Sequence, residues 1–160
     1  MRTTGHVVSI LEVDILNVDF LASSLERIGE GSADLVLASK RHPKSIDRRP
    51  LKRRILTYMF NQYLKLNFSF PGTDTHGLKT IRTEVAKRLC CLSMTGGEVF
   101  QTEIVLLAYQ LGYRVVELPL NIREQRATKI SVTRRLPKVI NIIRELNTSL
   151  NRFRAGGSSH

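Results

Sequence analysis

The chain reads as α/β: a mixed sheet, parallel at its start, flanked by helices. Three observations predict this class. An apolar run, an amphipathic segment and a second apolar run succeed one another over residues 6–39, the order of a βαβ unit with parallel pairing. A strongly apolar helical segment at 96–112 is followed at once by the β-rich run 113–122. At 160 residues, with 42% hydrophobic and 24% charged content, the chain suits one domain with a real core. That domain spans residues 1–152, and "GGSSH" ends a flexible tail at 153–160.

Each element has a local reason. "HVVSIL" (6–11) is short, apolar and β-branched, hence a buried strand. "NVDFLASSLERIGEG" is a helix opened by Asn17 or Asp19 and closed near Gly29 or Gly31. "ADLVLAS" (33–39) is the next strand. The loop "SKRHPKSIDRRPLKRR", with eight Lys or Arg residues, enters a helix at about 50–65. Leu51, Ile55, Tyr58 and Met59 have helical spacing and are expected to face the core, while Arg53, Thr57 and Asn61 align on the opposite side. "HGLKTIR" (76–82) is a strand that runs into a short helix from Thr83.

The helix over 96–112 carries Phe100, Ile104, Leu107 and Leu111 as its apolar stripe, with Gly112 as its stop. Glu103 sits on the edge of that stripe and needs a partner, a ligand or water. Pro119 marks "YRVVELPLNI" as an edge or bent strand. The last helix, about 133–152, is expected to bury Leu136, Val139, Ile140, Ile143, Leu146 and Leu150 and to carry Arg134, Arg135, Lys138, Arg144 and Arg152 on its flanks. Such a helix is a surface helix on its own domain or one that lies against anionic lipid.

The net charge of +11 favours polyanionic partners: nucleic acid, anionic headgroups or phosphorylated substrates. With no tryptophan, 6% aromatics and no helix-turn-helix or RNA-binding signature, nothing points to a specific nucleic acid. Cys90 and Cys91 are adjacent, which suits neither a disulfide framework nor zinc, and they read as reduced helix residues in a cytosolic setting. No run of eighteen apolar residues spans a bilayer and no signal-peptide pattern opens the chain.

"FPGTDTHGLKTIR" places Asp74 and His76 at the mouth of a strand. Pro71, Gly72, Asp74 and Gly77 are turn formers, so the stretch is a turn, or a site at a strand end where open α/β proteins keep their chemistry. Glu12 and Asp14, two apart in "ILEVDIL", project to one face of a strand, either as a solvated strand end or as a pair of cation ligands.

The order of these signals resembles the family 2 glycosyltransferases, most closely the polyprenol-phosphate sugar synthases of the dolichol-phosphate mannose synthase type. "ILEVDIL" stands where the family has a strand ending in Asp-x-Asp. "ADLVLASKR" looks like its next strand and loop, and "RRILTYMFN" like its Arg-x-x-x-Ser-x-x-x-Asn helix, carried by Arg53, Thr57 and Asn61. "TDTHGLKTIR" is similar to the D-x-x-S-G-F-R strand entrance, "GGEVFQTEIVLLAYQLGYRVVELPL" to the family's late helix and strand, and "REQRATKIS" to its R-x-x-G-x-S loop. Glu12 replaces the first Asp, Thr57 the Ser, Lys40 an Arg, His76 a Ser and Lys129 the loop Gly. The likeness runs over about residues 7–145.

The resemblance implies the acceptor-side portion of the glycosyltransferase A-type fold, with the N-terminal nucleotide-binding half missing or supplied by a second chain. It implies transfer of a hexose from a nucleotide diphosphate sugar to a polyprenyl phosphate, at the cytoplasmic side of a membrane to which the protein is peripheral. Glu12 and Asp14 would hold Mg²⁺ or Mn²⁺ against the diphosphate, and Asp74 would orient donor and acceptor. Lys40, Arg53, Thr57, Asn61 and Arg126 would receive the acceptor phosphate, with His76 and Glu103 in support. Alone, such a chain is expected to turn over poorly, because base and ribose contacts belong to the other half. The competing readings are a non-catalytic remnant or partner subunit that keeps the acceptor and membrane surface, and a basic nucleic-acid binder.

Overall fold

The computed structural model describes residues 5–11, 17–46, 51–120 and 132–157, with the backbone alone at 53, 132–138 and 154–157. Four strands and five helices follow in the order β1 (Val7–Ile10), α1 (Val18–Gly29), β2 (Leu35–Ser39), α2 (Leu51–Phe68), β3 (Lys79–Arg82), α3 (Thr83–Leu92), α4 (Gly97–Gln110), β4 (Val115–Pro119) and α5 (Val132–Gly157). The strands form one open mixed sheet in the order β1-β3-β2-β4.

The expected pairing of the first two strands is corrected by this order. β3 lies between them, antiparallel to both, with Val8 opposite Ile81 and Leu35 opposite that same Ile81. β1 and β2 therefore run the same way without touching. Leu78, Lys79, Thr80 and Ile81 are buried, so β3 takes an inner position where both its backbone edges and both its faces are covered. The parallel pair is instead β2 with β4, Leu37 opposite Glu117 and Ser39 opposite Pro119. β4 is an edge strand, as Pro119 requires.

Alternation along the strands divides the core in two. Leu35, Leu37 and Ile81 face a large cluster with Leu64 and Phe68 of α2, Leu89 of α3, Ile104 and Leu107 of α4, and Leu146 and Leu150 of α5. Val36, Ala38 and Leu78 face the opposite way, against Phe20 and Ile28 of α1. Each such buried side chain contributes about 1.5–3 kcal/mol of transfer free energy. α1 opens on Asn17, whose Oδ1 accepts the Phe20 amide at 2.9 Å, and Gly31 follows it at φ +73°. α4 stops before Gly112, which takes φ +74°.

Two expectations about helix faces fail. Leu51, Ile55, Tyr58 and Met59 do not face the core: Leu51 is 68% and Met59 63% exposed. The inward stripe of α2 is Asn61, Leu64 and Phe68, at i, i+3 and i+7. The helix has two apolar stripes, and the one with the aromatic at its end packs against α4 and α5. In α5, Ile140 is 46% exposed whereas Leu146, Ser149 and Leu150 are buried; Leu136 lies outside the described side chains. Among the described residues no helix is long and apolar enough to cross a membrane.

Candidate functional site

The C-terminal ends of β2 and β4, the segment 71–77 before β3, and the start of α2 meet at one end of the sheet. Two glycines let the segment lie this close. A Cβ on Gly77 would stand 2.1 Å from the Ala38 carbonyl oxygen, and one on Gly72 would stand 2.5 Å from the Phe70 ring and 2.6 Å from Glu117 Oε1. The stretch is a tight turn, as its glycines and proline predict, and it lies at the strand ends.

Asp74 is buried there. Its Oδ1 accepts the His76 amide at 2.9 Å and its Oδ2 the Lys40 amide at 3.3 Å, so the turn and the basic loop after β2 share one carboxylate. Each oxygen keeps a further lone pair. The His76 ring packs edge-on to Phe60, with ring centroids 6.3 Å apart, and its Nδ1 lies 3.1 Å from Thr75 Oγ1, which meets Thr102 Oγ1 of α4 at 3.1 Å. Burial pushes the imidazole below its ordinary value; Asp74 and Glu98 oppose this, while Lys79 and Lys40 add to it.

Lys79 is fully buried on β3. Its ammonium donates to Gln101 Oε1 at 2.7 Å and to the Gly77 carbonyl at 3.1 Å, tying the strand entrance to the first turns of α4.

Asn61 is also buried, and its Nδ2 donates to the Thr73 carbonyl at 2.5 Å. The side of α2 bearing Asn61 therefore faces the turn that carries Asp74. Lys40, Arg41, His42 and Ser45 of the basic loop join Leu51, Arg54, Ile55 and Tyr58 of α2 around a groove of about 410 Å³. The Arg41 guanidinium lies over the Tyr58 ring, 5.1 Å from its centroid. The loop contributes Lys40 and Arg41 to the groove, and the helix contributes Arg54 among Leu51, Ile55 and Tyr58. Arg41 and Arg54 were not singled out in the sequence, and Tyr58, expected to face the core, is 49% exposed and lines the groove.

Glu103 is buried and serves the fold. One oxygen accepts the hydroxyls of Ser93 and Thr95 and the Thr95 amide at 3.1 Å; the other accepts the Met94 amide at 3.1 Å and the Ser149 hydroxyl. Burial pushes its carboxyl up, but the hydroxyls of Ser149, Ser93 and Thr95 and the Met94 amide outweigh this and hold it below the usual carboxylate range. These hydroxyls and amides let it pin the α3–α4 connection and α5 to α4.

Glu117 escaped the sequence reading. From β4 it accepts the Thr73 amide at 2.7 Å on one oxygen and the Thr73 hydroxyl on the other. A single acid inside "VVELP" is the signal that could have found it.

Glu12, Asp14 and Arg126 lie outside the described residues, as does the side chain of Arg53. Thr57 is half-buried on α2, one turn before Asn61. Among the described residues no three His, Cys, Asp or Glu side chains gather as a metal would require. No protein-family model matches the chain.

Proposed function

We propose that the chain is the acceptor-side part of a family 2 hexosyltransferase, which moves a hexose from a nucleotide diphosphate sugar to a polyprenyl phosphate. The observation that carries this reading is the groove, which sets the cations Lys40, Arg41 and Arg54 beside the apolar Leu51 and Ile55 and is joined through the Lys40 amide to buried Asp74. A phosphate monoester on a long hydrocarbon has that same polarity, with an anionic head for Lys40, Arg41 and Arg54 and a chain for Leu51 and Ile55.

In this reading the acceptor phosphate is the nucleophile. One of its oxygens forms the bond to the anomeric carbon, and the bond from that carbon to the nucleotide diphosphate breaks with the electron pair leaving on the diphosphate. An anionic phosphate needs no strong general base. Asp74 orients the reacting groups through its remaining lone pairs, while Lys40 sets the position of the incoming phosphate; the family resemblance adds Arg53, Thr57, Asn61 and Arg126 to that task. His76, neutral by burial, contributes shape and a hydrogen bond. Glu12 and Asp14 form a hard-oxygen donor set suited to Mg²⁺ or Mn²⁺, which would supply charge neutralisation at the diphosphate.

The outward apolar stripe Leu51, Ile55, Met59 and Leu66, among Lys52, Arg54 and Lys65, fits a peripheral position on an anionic membrane, with the groove opening toward the lipid. The test is incubation with radiolabelled nucleotide diphosphate hexose, Mn²⁺ and polyprenyl phosphate, with a nucleotide-binding half supplied as a second polypeptide. Label in the lipid phase that disappears in Asp74→Asn is the expected outcome; no lipid-linked label overturns the reading. A partner subunit that only holds the acceptor is the second reading, and it rests on the same cations and apolar side chains of the groove. Metal-dependent heat on titration with a nucleotide sugar excludes it.

A further inference from the structure

The turn that carries Asp74 is held by a directed series of hydrogen bonds that ends on Glu117. The direction follows from the donors and acceptors. The Arg41 amide can only donate, and it lies 3.1 Å from Ser39 Oγ. The Thr73 hydroxyl donates to the Glu117 carboxylate. The Ser39 and Thr73 hydroxyls are 2.6 Å apart. Thr73 has spent its one proton on Glu117, so Ser39 must be the donor between them. The order is Arg41 N–H to Ser39 O–H to Thr73 O–H to Glu117.

Two further bonds fasten the same elements. The Ser45 hydroxyl donates to the Ser39 carbonyl at 2.7 Å, and the Leu120 amide donates to Ser45 Oγ at 2.9 Å. The basic loop is thus tied at Ser39 to the edge strand that bears Glu117, and at Ser45 to the residue that follows that strand.

We propose that Glu117 is a positioning residue: through Thr73 and Ser39, its carboxylate fixes the Lys40–His42 loop and the Asp74 turn in one mutual geometry. The consequence for binding rests on the acceptor reading given above; the hydrogen-bonded order itself does not. A serine at 73 preserves every bond in the series. A valine there keeps the amide bond to Glu117 but leaves the Ser39 hydroxyl without its acceptor. A glutamine at 117 cannot serve both Thr73 donors with a charged oxygen.

The test has two arms on the whole chain. Amide spectra of wild type, Thr73→Ser, Thr73→Val and Glu117→Gln at neutral pH read the loop directly. The Arg41 and Lys40 amides are expected to move in Thr73→Val and Glu117→Gln and to stay in Thr73→Ser; unmoved amides in both broken variants overturn the proposal. The second arm titrates the same proteins with farnesyl phosphate. Thr73→Val and Glu117→Gln are each expected to weaken binding about tenfold, the worth of one charge-assisted bond. The double variant should be no weaker than either single one, because both cut one series. Independent, additive losses would overturn the coupling. If wild type itself does not bind farnesyl phosphate, the acceptor reading fails while the amide arm still decides the role of Glu117. Thr73→Val keeps the test open should Glu117→Gln fail to fold.

Discussion

Replacing Glu103 by glutamine changes one atom and should destabilise the whole domain. The carboxylate receives five donors, two of them backbone amides. The best placement of glutamine leaves its carbonyl oxygen toward Ser93 and Thr95 and turns its NH₂ toward Met94 and Ser149. Ser149 can rotate and accept; the Met94 amide cannot. One orphaned N–H costs about 1–3 kcal/mol, and the bonds that remain lose their charge assistance, for a total of about 2–4 kcal/mol. Alanine orphans both amides and opens a cavity, about 3–5 kcal/mol.

Urea unfolding followed by far-UV circular dichroism at several pH values measures this. The folded carboxyl titrates below its ordinary value. The unfolded state therefore takes up the proton first as pH falls, and the stabilisation is full above about pH 4.3, then lost as pH drops through the folded value. The gap between wild type and Glu103→Gln should accordingly close in acid. Equal stability at pH 7, or a gap that does not narrow as the pH falls into acid, would refute the reasoning.

Other outcomes follow from single sites. Asp34 is held below its usual range chiefly by its hydrogen bond to Arg114, with burial opposing and Arg82 assisting, so Asp34→Asn should flatten the acid limb of stability below about pH 4. His76 has the lower folded value, so unfolding takes up a proton as pH falls below about 6.5; His76→Gln should remove that early, shallow loss of stability, measurable by thermal scans between pH 7 and 5. Gly77→Ala puts a Cβ 2.1 Å from the Ala38 carbonyl oxygen and should cost about 1–3 kcal/mol or more, read by the same unfolding curves. Met59→Ser on the exposed stripe should alter stability by under about 0.5 kcal/mol yet reduce sedimentation with anionic vesicles, whereas Leu64→Ala should cost about 2–5 kcal/mol.

The elements were legible where one local signal dominated. Asn17 and Gly112 mark helix ends through chemistry that tertiary contacts do not override, and Pro119 announces an edge strand. The neighbours of a strand are a different matter. Nothing in "HVVSIL" or "ADLVLAS" says that "KTIR" will pass between them, because pairing order depends on contacts far apart in sequence. The α2 face was misread for a related reason: Leu51, Ile55 and Met59 make a regular stripe, and so do Leu64 and Phe68 with Asn61. Only the packing of Phe68 and Leu64 against α4 and α5 selects between them. Asp74 stood out because an acid beside glycines at a strand mouth is unusual. Glu117 did not, since one acid in a short strand normally faces water, and its partner Thr73 lies forty-four residues earlier.

The central claim is that a lipid phosphate lies in the groove between the basic loop and α2, beside Asp74. Phosphorus NMR of farnesyl phosphate titrated with the chain in mild detergent tests it most directly, with farnesol as competitor and Arg54→Glu as the control. A phosphate resonance that shifts and broadens, is insensitive to farnesol at equal concentration, and stays sharp with Arg54→Glu is the predicted result. Equal displacement by farnesol, or unchanged broadening with Arg54→Glu, would contradict the account.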